Sequence, residues 1–192
     1  MHSNYNIGNN SFSQHEREWN EPSRSIAIRK QSYALFNRVM IKGYIRRFFD
    51  SLFRKSYELF SLSNILQNSS PQYAMESGLH AVPLSLIMGS ENRCNDFDNQ
   101  FTPFSERHHQ RWLRISDMFI KGENIPAVEL IRVGQSYFVR DGHHRISVAK
   151  ALGKKFIDAK VTVFHLSEKS LHPNNSIAHQ LLLQTVEIQN NF

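Results

Sequence analysis

The chain has 192 residues, a formal net charge of +6 and a hydrophobic content of 40%. This length predicts one domain of ordinary size with an additional helical segment. The single cysteine, Cys94, excludes a disulfide framework and a cysteine-based zinc site, and it suits the reducing cytoplasm, where we expect the protein. No apolar run approaches the roughly 18 residues that span a bilayer, so we expect no transmembrane helix.

The positive charge is concentrated in one segment. Residues 24–55 hold nine Lys and Arg and one acid, Asp50, whereas residues 56–192 hold 13 basic and 13 acidic residues. Residues 1–25 are polar and rich in Asn and Ser, which predicts a disordered tail. The positive field therefore belongs to the segment that follows this tail.

Residues 26–70 are predicted to form a basic amphipathic helical segment. Its apolar stripe recurs at i+3 and i+4 and consists of Ile45, Phe48, Phe49, Leu52, Phe53, Tyr57 and Phe60. Arg38, Lys42 and Arg46 follow at intervals of four on another face, and Gly43 allows a break. Three functions stay open for this segment: packing on the domain or on its copy in a homodimer, contact with a DNA backbone, and binding to an anionic membrane surface.

After a predicted loop over residues 63–78, strands and helices alternate. The elements in chain order are a strand with Val82, Leu84 and Leu86, a helix over 105–121, strands over 127–133 and 136–140, a helix over 144–152 and a strand over 156–164. The turn between the second and third strands predicts a hairpin. Residues 166–192 predict a C-terminal helical tail beginning near Ser176. This order predicts an α/β (α+β) fold with a small mixed sheet, flanking helices and an N-terminal helical segment.

The stretch Asp141-Gly142-His143-His144-Arg145 joins the third predicted strand to a helix. The first N–H groups of a helix have no intrahelical partner and the helix dipole adds partial positive charge, so such a junction favours anions. Arg145 adds a fork of donors that suits phosphate, and Asp141 adds a carboxylate that can hold a cation or accept a proton. The alternative is a simple cap and turn with solvated histidines.

Residues 78–165 resemble the ParB/sulfiredoxin superfamily, which includes the nucleotide-binding domain of ParB partition proteins, sulfiredoxin and an archaeal free serine kinase. The segments that carry the resemblance are 80–87, 125–131 and 141–161. The whole chain is similar to bacterial ParB-like proteins that join a helical N-terminal part to this single domain. The resemblance implies a mixed sheet of ParB/sulfiredoxin type.

The resemblance also implies a ligand and site residues. A nucleotide (ATP, ADP or CTP) with Mg²⁺ would be bound by Gly142, His143, His144, Arg145 and Arg93. Glu91 falls in the place of the kinase's catalytic glutamate, where it would take a proton from a substrate hydroxyl, and Asp141 falls on the metal side or acts as a base. His143 stands where sulfiredoxin has its reactive cysteine, so we do not expect sulfinic acid repair.

Two functions of different classes follow. The first is a nucleotide- or phosphate-binding protein that transfers a phosphoryl group or hydrolyses nucleotide. The second is a non-enzymatic protein in which nucleotide controls contact of the basic helix, through Arg38, Lys42 and Arg46, with DNA, a partner or a membrane. A nuclease is disfavoured because no cluster of acidic metal ligands is evident.

His108 and His109 are interpreted as surface residues, since neighbours on a helix point about 100° apart.

Overall fold

A computed structural model describes residues 12–54, 56–66 and 71–166 of the chain. Its α-helices are α1 (Phe12–Leu52), α2 (Leu62–Leu66), α3 (His109–Lys121) and α4 (His143–Ala151). Its strands are β1 (Phe60–Ser61), β2 (Pro71–Pro83), β3 (Ile87–Ser90), β4 (Val128–Val133), β5 (Ser136–Asp141) and β6 (Phe156–Leu166). The predicted α/β class, with a mixed sheet, flanking helices and an N-terminal helix, is confirmed.

The six strands form one sheet in the order β1-β3-β5-β4-β6-β2. β4 and β5 are antiparallel neighbours, which confirms the predicted hairpin, while β3 runs parallel to β5. Ser90 at the end of β3 pairs with Val139 near the end of β5, so both strands finish at the same edge of the sheet. In open α/β sheets ligands bind beyond the carboxyl ends of strands, so this edge of the sheet is the candidate location of a binding site.

The helix α4 belongs to two apolar clusters, one shared with the sheet and one shared with α3 and α1. α4 contributes Ile146 and Ala149 to the main core and Val148 to a second cluster with Trp112 of α3 and Phe36 of α1. Trp112 is fully buried, and its Nε1 donates a hydrogen bond of 2.9 Å to Ser147 Oγ. α1 is therefore attached to the domain through α3 and α4.

The bounds of α1 differ from the prediction at both ends. The helix begins at Phe12, so residues 12–25, which we expected to be disordered, are helical, and it ends at Leu52, so Phe60 lies in β1 instead. Gly43 does not break the helix. A Cβ at Gly43 would lie 2.6 Å from Thr102 Cγ2, so this glycine permits close approach of α1 to the loop that carries Thr102.

The first predicted strand was wrong in its bounds. The expected loop over 63–78 contains α2 and the beginning of β2, and β2 ends at Pro83, before a 3-10 turn at Leu84–Leu86. The backbone N–H of Leu84 donates to Lys155 O at 2.9 Å, which stabilises that turn. Alternating apolar residues cannot reveal such a turn, because the pattern only reports which side chains are buried. The helical tail expected from Ser176 lies outside the described residues.

One face of α1 stays exposed. In the C-terminal part of α1 the exposed large apolar side chains are Ile41, Tyr44, Ile45, Phe48, Phe49 and Leu52, and Phe53 follows one residue beyond the helix. We call these residues the apolar stripe of α1. Phe48 is 68% exposed, so packing on the domain does not account for the stripe. Within residues 12–54, 56–66 and 71–166 no helix is both long and apolar enough to cross a membrane.

Candidate functional site

α4 begins directly beyond the end of β5, at a glycine that the backbone requires. Gly142 has φ 104° and ψ 18°, in the left-handed region, and a Cβ there would lie 2.5 Å from Val128 Cγ1. Because glycine has no side chain, it provides no side-chain cap for the N–H groups of the first turn. The first turn of α4 therefore has no side-chain cap from Gly142, and the two residues that follow this glycine, His143 and His144, are buried.

Arg145 is held by three acceptors from its own surroundings. Its Nη1 donates to the carbonyls of Pro126 at 2.8 Å and Ala127 at 2.7 Å, and its Nη2 donates to Asp141 Oδ2. The guanidinium has five N–H donors, so two remain for a ligand. Arg145 thus fixes the loop before β4 to the start of α4, and its predicted role as the main phosphate fork requires the two donors that are left.

His143 is joined to the end of β3 by a buried serine. Ser90 Oγ accepts the backbone N–H groups of Asn92 at 3.2 Å and Arg93 at 2.9 Å, and it lies 2.7 Å from His143 Nε2. Because these two N–H groups occupy both lone pairs of Ser90 Oγ, the hydroxyl proton has two acceptors within reach, His143 Nε2 at 2.7 Å and Val139 O at 3.5 Å. The shorter contact favours His143 as the acceptor, with the histidine proton on Nδ1. The turn at residues 90–93 is therefore attached to the first residue of α4.

The Ser90–His143 pair has the distance of an activated nucleophile and its base, but not the accessibility. Ser90 is 0% exposed and its Oγ has no lone pair left for attack on a substrate. We therefore interpret the pair as a positioning device. It holds the backbone of Arg93 next to the amino terminus of α4.

Both histidines of the motif are interior side chains. His143 is 5% and His144 is 4% exposed, and the Phe97 ring lies 5.6 Å from the first and 5.1 Å from the second, centre to centre. Burial lowers the pKa of His143 to about 4, and the neighbouring Arg93 and His144 act in the same direction. His143 is therefore neutral at pH 7. Both rings thus contact Phe97 in the core, and the predicted binding of a ligand by these residues would have to use their backbone.

The two remaining predicted residues lie beside this helix end. Glu91 Oε2 is 3.1 Å from Arg140 Nε, and the N–H of Glu91 donates to Val139 O, which places the carboxylate at the edge where β3 and β5 finish. Arg93 is 42% exposed, and its only ion pair among the described residues is a 3.9 Å contact with the exposed Asp96. The structure thus brings Glu91 and Arg93 to the edge where α4 begins. The ion pair of Arg93 is longer than that of Glu91, so the Arg93 side chain is the freer of the two to bind a ligand.

A metal ion at this site would need coordinating oxygens from a bound phosphate as well as from the protein. Within the described ranges no group of three or more His, Cys, Asp or Glu side chains could hold a metal ion. Asp141 is 58% exposed and shares one oxygen with Arg145. A single carboxylate fits Mg²⁺ that arrives with substrate phosphates, because Mg²⁺ commonly takes one or two carboxylates and keeps water or phosphate as its other ligands.

The basic face of α1 is not a free row of cations. Arg46 donates to the fully buried Asp98 and, at 3.0 Å, to Thr102 Oγ1, and Arg47 is 3.0 Å from the same carboxylate. Arg38 and Lys42 are exposed. The charge of Arg46 thus helps to dock α1 on the domain, and Arg38 and Lys42 are the exposed cations of the predicted nucleic-acid or membrane contact.

Two other predictions concern single side chains. His109 was interpreted as a surface residue, but its ring packs against Phe36, 4.5 Å between centres, and is half-buried. The side chain of His108 lies outside the described part of the structure. Cys94 is half-buried, and desolvation raises the pKa of its thiol, so it is not the reactive thiolate that a sulfiredoxin reaction would need.

No family model and no curated protein matches the chain. Among solved structures, the chain is similar to the crystal structure of sulfiredoxin from Arabidopsis thaliana, at 20% sequence identity. The similarity covers 43% of this chain and 82% of that one, with a TM-score of 0.32. A likeness of this degree carries no argument about activity.

Sequence reasoning missed the residues that support the site. Ser90 and Asp98 were not singled out, because a serine at a strand end and an acid in a polar stretch are ordinary in isolation. Their partners lie 53 residues away for Ser90 and 52 and 51 residues away for Asp98. Only the fold brings these pairs together.

Proposed function

We propose that the chain binds the phosphate groups of a nucleotide at the amino terminus of α4. The observation that carries this proposal is the uncapped start of α4 at Gly142, at the edge where β3 and β5 finish, with Arg93 held beside it. The N–H groups of His143, His144 and Arg145 would donate to phosphate oxygens, and Arg93 would balance their charge.

The arrangement explains why a neutral histidine is buried at the start of the helix. Ser90 donates to His143 and accepts the N–H of Arg93, so the turn and the helix end form one unit. A protonated histidine could not accept that hydrogen bond. The Ser90 hydroxyl and the His143 ring would thus position the proposed phosphate site without contacting the ligand themselves.

Phosphoryl transfer or nucleotide hydrolysis is the proposed reaction at this site. The γ-phosphoryl group of ATP would pass to an acceptor hydroxyl or to water, with ADP as the leaving group, and Glu91 would take the acceptor's proton, with Asp141 on the metal side. In the present structure Glu91 is bound by Arg140. The base role therefore requires Glu91 to exchange that contact for the acceptor, and Glu91→Gln should abolish turnover while nucleotide affinity is kept.

Thermal unfolding with ATP, ADP, CTP and GTP, each with Mg²⁺, tests the binding site. A ligand at about 100-fold above its Kd should stabilise the protein by about 2.7 kcal/mol. We expect Arg93→Gln to weaken the affinity about tenfold, because it removes one charge-assisted contact, worth about 1.5–3 kcal/mol, that neutral glutamine replaces only in part. Arg145→Ala is a poorer test, since it also releases Asp141 and the carbonyls of Pro126 and Ala127.

Arg114→Gln is the matched control, because Arg114 is an exposed arginine of α3 and the variant has the same net charge. The control should bind as the wild type does. The proposal fails if no nucleotide shifts the unfolding temperature, or if Arg93→Gln and Arg114→Gln bind equally well.

A second, non-enzymatic candidate is contact of α1 with an anionic membrane surface. The apolar stripe favours it over DNA, because seven large apolar side chains between Ile41 and Phe53 are exposed while Arg46 is committed to Asp98. We expect wild-type protein to float with anionic vesicles and Phe48→Ser/Phe49→Ser to lose most of that binding, at roughly 1.5–3 kcal/mol for each phenylalanine. Leu79→Ser, an equally exposed apolar position on β2, should float like wild type. Equal flotation of both variants would contradict this candidate.

A further inference from the structure

A cleft of about 220 Å³ lies between α1 and α4. Arg38, Lys42 and Arg46 line it from α1, and Lys150 lines it from α4. None of the lining residues, all of which belong to the described part of the chain, is acidic. We call this feature the α1–α4 cleft.

The charges of the α1–α4 cleft are only partly balanced. Asp98, the acid paired with the lining residue Arg46, is fully buried and is bound by Arg46 and Arg47 together. This carboxylate is therefore already shared between two arginines, and the charges of Arg38, Lys42 and Lys150 face the same small volume. Like charges collected in this way repel one another unless an anion enters.

Lys150 is the most constrained of these cations. Its Nζ lies 4.7 Å from the centre of the Phe101 ring, and burial lowers the pKa of its ammonium to about 8, with Arg46 adding to the effect and Asp98 opposing it. A lysine that is hard to charge in the free protein would gain from an anion placed next to it. Ser147 also lines the cleft, and its hydroxyl, which accepts a hydrogen bond from Trp112, still has a proton to donate.

We propose that the α1–α4 cleft is an anion site for a small, multiply charged phosphate, of the size and charge of pyrophosphate, bound by Arg38, Lys42 and Lys150 beside the Asp98-bound Arg46. The volume lies below the roughly 300 Å³ at which pockets accept drug-sized molecules, which favours a compact anion. Ser147 and Lys150 are four and seven residues after the start of α4, or about 6 and 10 Å along its axis. The cleft is therefore separate from the site at the amino terminus of α4.

Calorimetric titration with inorganic pyrophosphate, at constant ionic strength, tests this site. We expect Arg38→Gln/Lys42→Gln to weaken binding about 10- to 100-fold, because each removed cation makes charge-assisted contacts. Both side chains are exposed and their removal relieves charge repulsion, so without ligand the variant should unfold at the wild-type temperature or above it. Arg111→Gln/Arg114→Gln, an equal loss of charge on exposed positions of α3, should bind pyrophosphate within about twofold of wild type.

Arg93→Gln separates this site from the proposed nucleotide site. It should leave pyrophosphate affinity in the cleft unchanged, and the Arg38→Gln/Lys42→Gln variant should leave the Arg93-dependent nucleotide shift unchanged. The cleft proposal is overturned if wild-type protein gives no binding heat with millimolar pyrophosphate, or if the two double variants bind alike. It is also overturned if duplex DNA, and not pyrophosphate, loses affinity in Arg38→Gln/Lys42→Gln, since the cations would then serve a groove contact.

Discussion

Asp98→Asn should destabilise the protein by about 3–5 kcal/mol, the usual cost of removing one partner of a buried ion pair. Asp98 is 0% exposed, and Arg46 and Arg47 both donate to its Oδ2. Asparagine keeps an oxygen for the N–H groups of Gln100 and Thr102, which Oδ1 accepts at 3.0 and 2.9 Å. It also turns an N–H group toward two guanidinium groups that have lost their carboxylate.

Urea unfolding of Asp98→Asn and wild type measures this effect, with the midpoint and the slope taken together. The matched control is Asp96→Asn, because Asp96 is 47% exposed and its 3.9 Å contact with Arg93 is a surface pair. Surface pairs of this kind contribute 0–1 kcal/mol. A loss below about 1 kcal/mol for Asp98→Asn would show that α1 is held by its apolar contacts with α3 and α4 alone.

The sheet could be predicted from the sequence where the local pattern decides the structure. β4, β5, α4 and β6 lie within two residues of the predicted bounds, because alternation, a tight turn and a glycine stop are all local signals. The predicted bounds were wrong where contacts between residues distant in the sequence determine the ends of an element. β2 begins at Pro71 because it pairs with β6, and nothing in residues 71–78 alone indicates that partner.

The candidate site divides in the same way. Its position was predictable, since Asp-Gly between an apolar strand and a helix marks an uncapped helix start. The roles of its side chains could not be predicted, because the motif does not indicate which of its side chains are buried. Two adjacent histidines suggested ligand contacts, but Phe97, from a segment with no distinctive pattern, packs against both rings and keeps them inside. Arg145, the strongest phosphate candidate by chemistry, is largely used by the loop before β4.

Acidification from pH 7 to pH 4 should reduce the free energy of unfolding by about 3 kcal/mol through His143 alone. The pKa of this histidine is lowered to about 4 in the folded protein, chiefly by burial, from about 6.5 when unfolded. Between these values the unfolded chain binds a proton that the folded protein does not, so stability is complete above about pH 6.5 and falls as the pH drops toward 4. Protonation would also remove the acceptor for the Ser90 hydroxyl and release the turn that carries Arg93.

The test compares the pH dependence of urea unfolding in wild type, His143→Gln and His80→Gln. His143→Gln should be less stable than wild type at pH 7 and should lose about 3 kcal/mol less on acidification, because the titrating group is gone. His80 is an exposed histidine of β2, so His80→Gln should keep the wild-type dependence. Parallel pH profiles for wild type and His143→Gln would mean that the pKa of His143 is the same in the folded and unfolded chain, so that burial does not keep this histidine neutral on acidification. The Ser90–His143 pair would then not position Arg93 in the way that the proposed phosphate site requires.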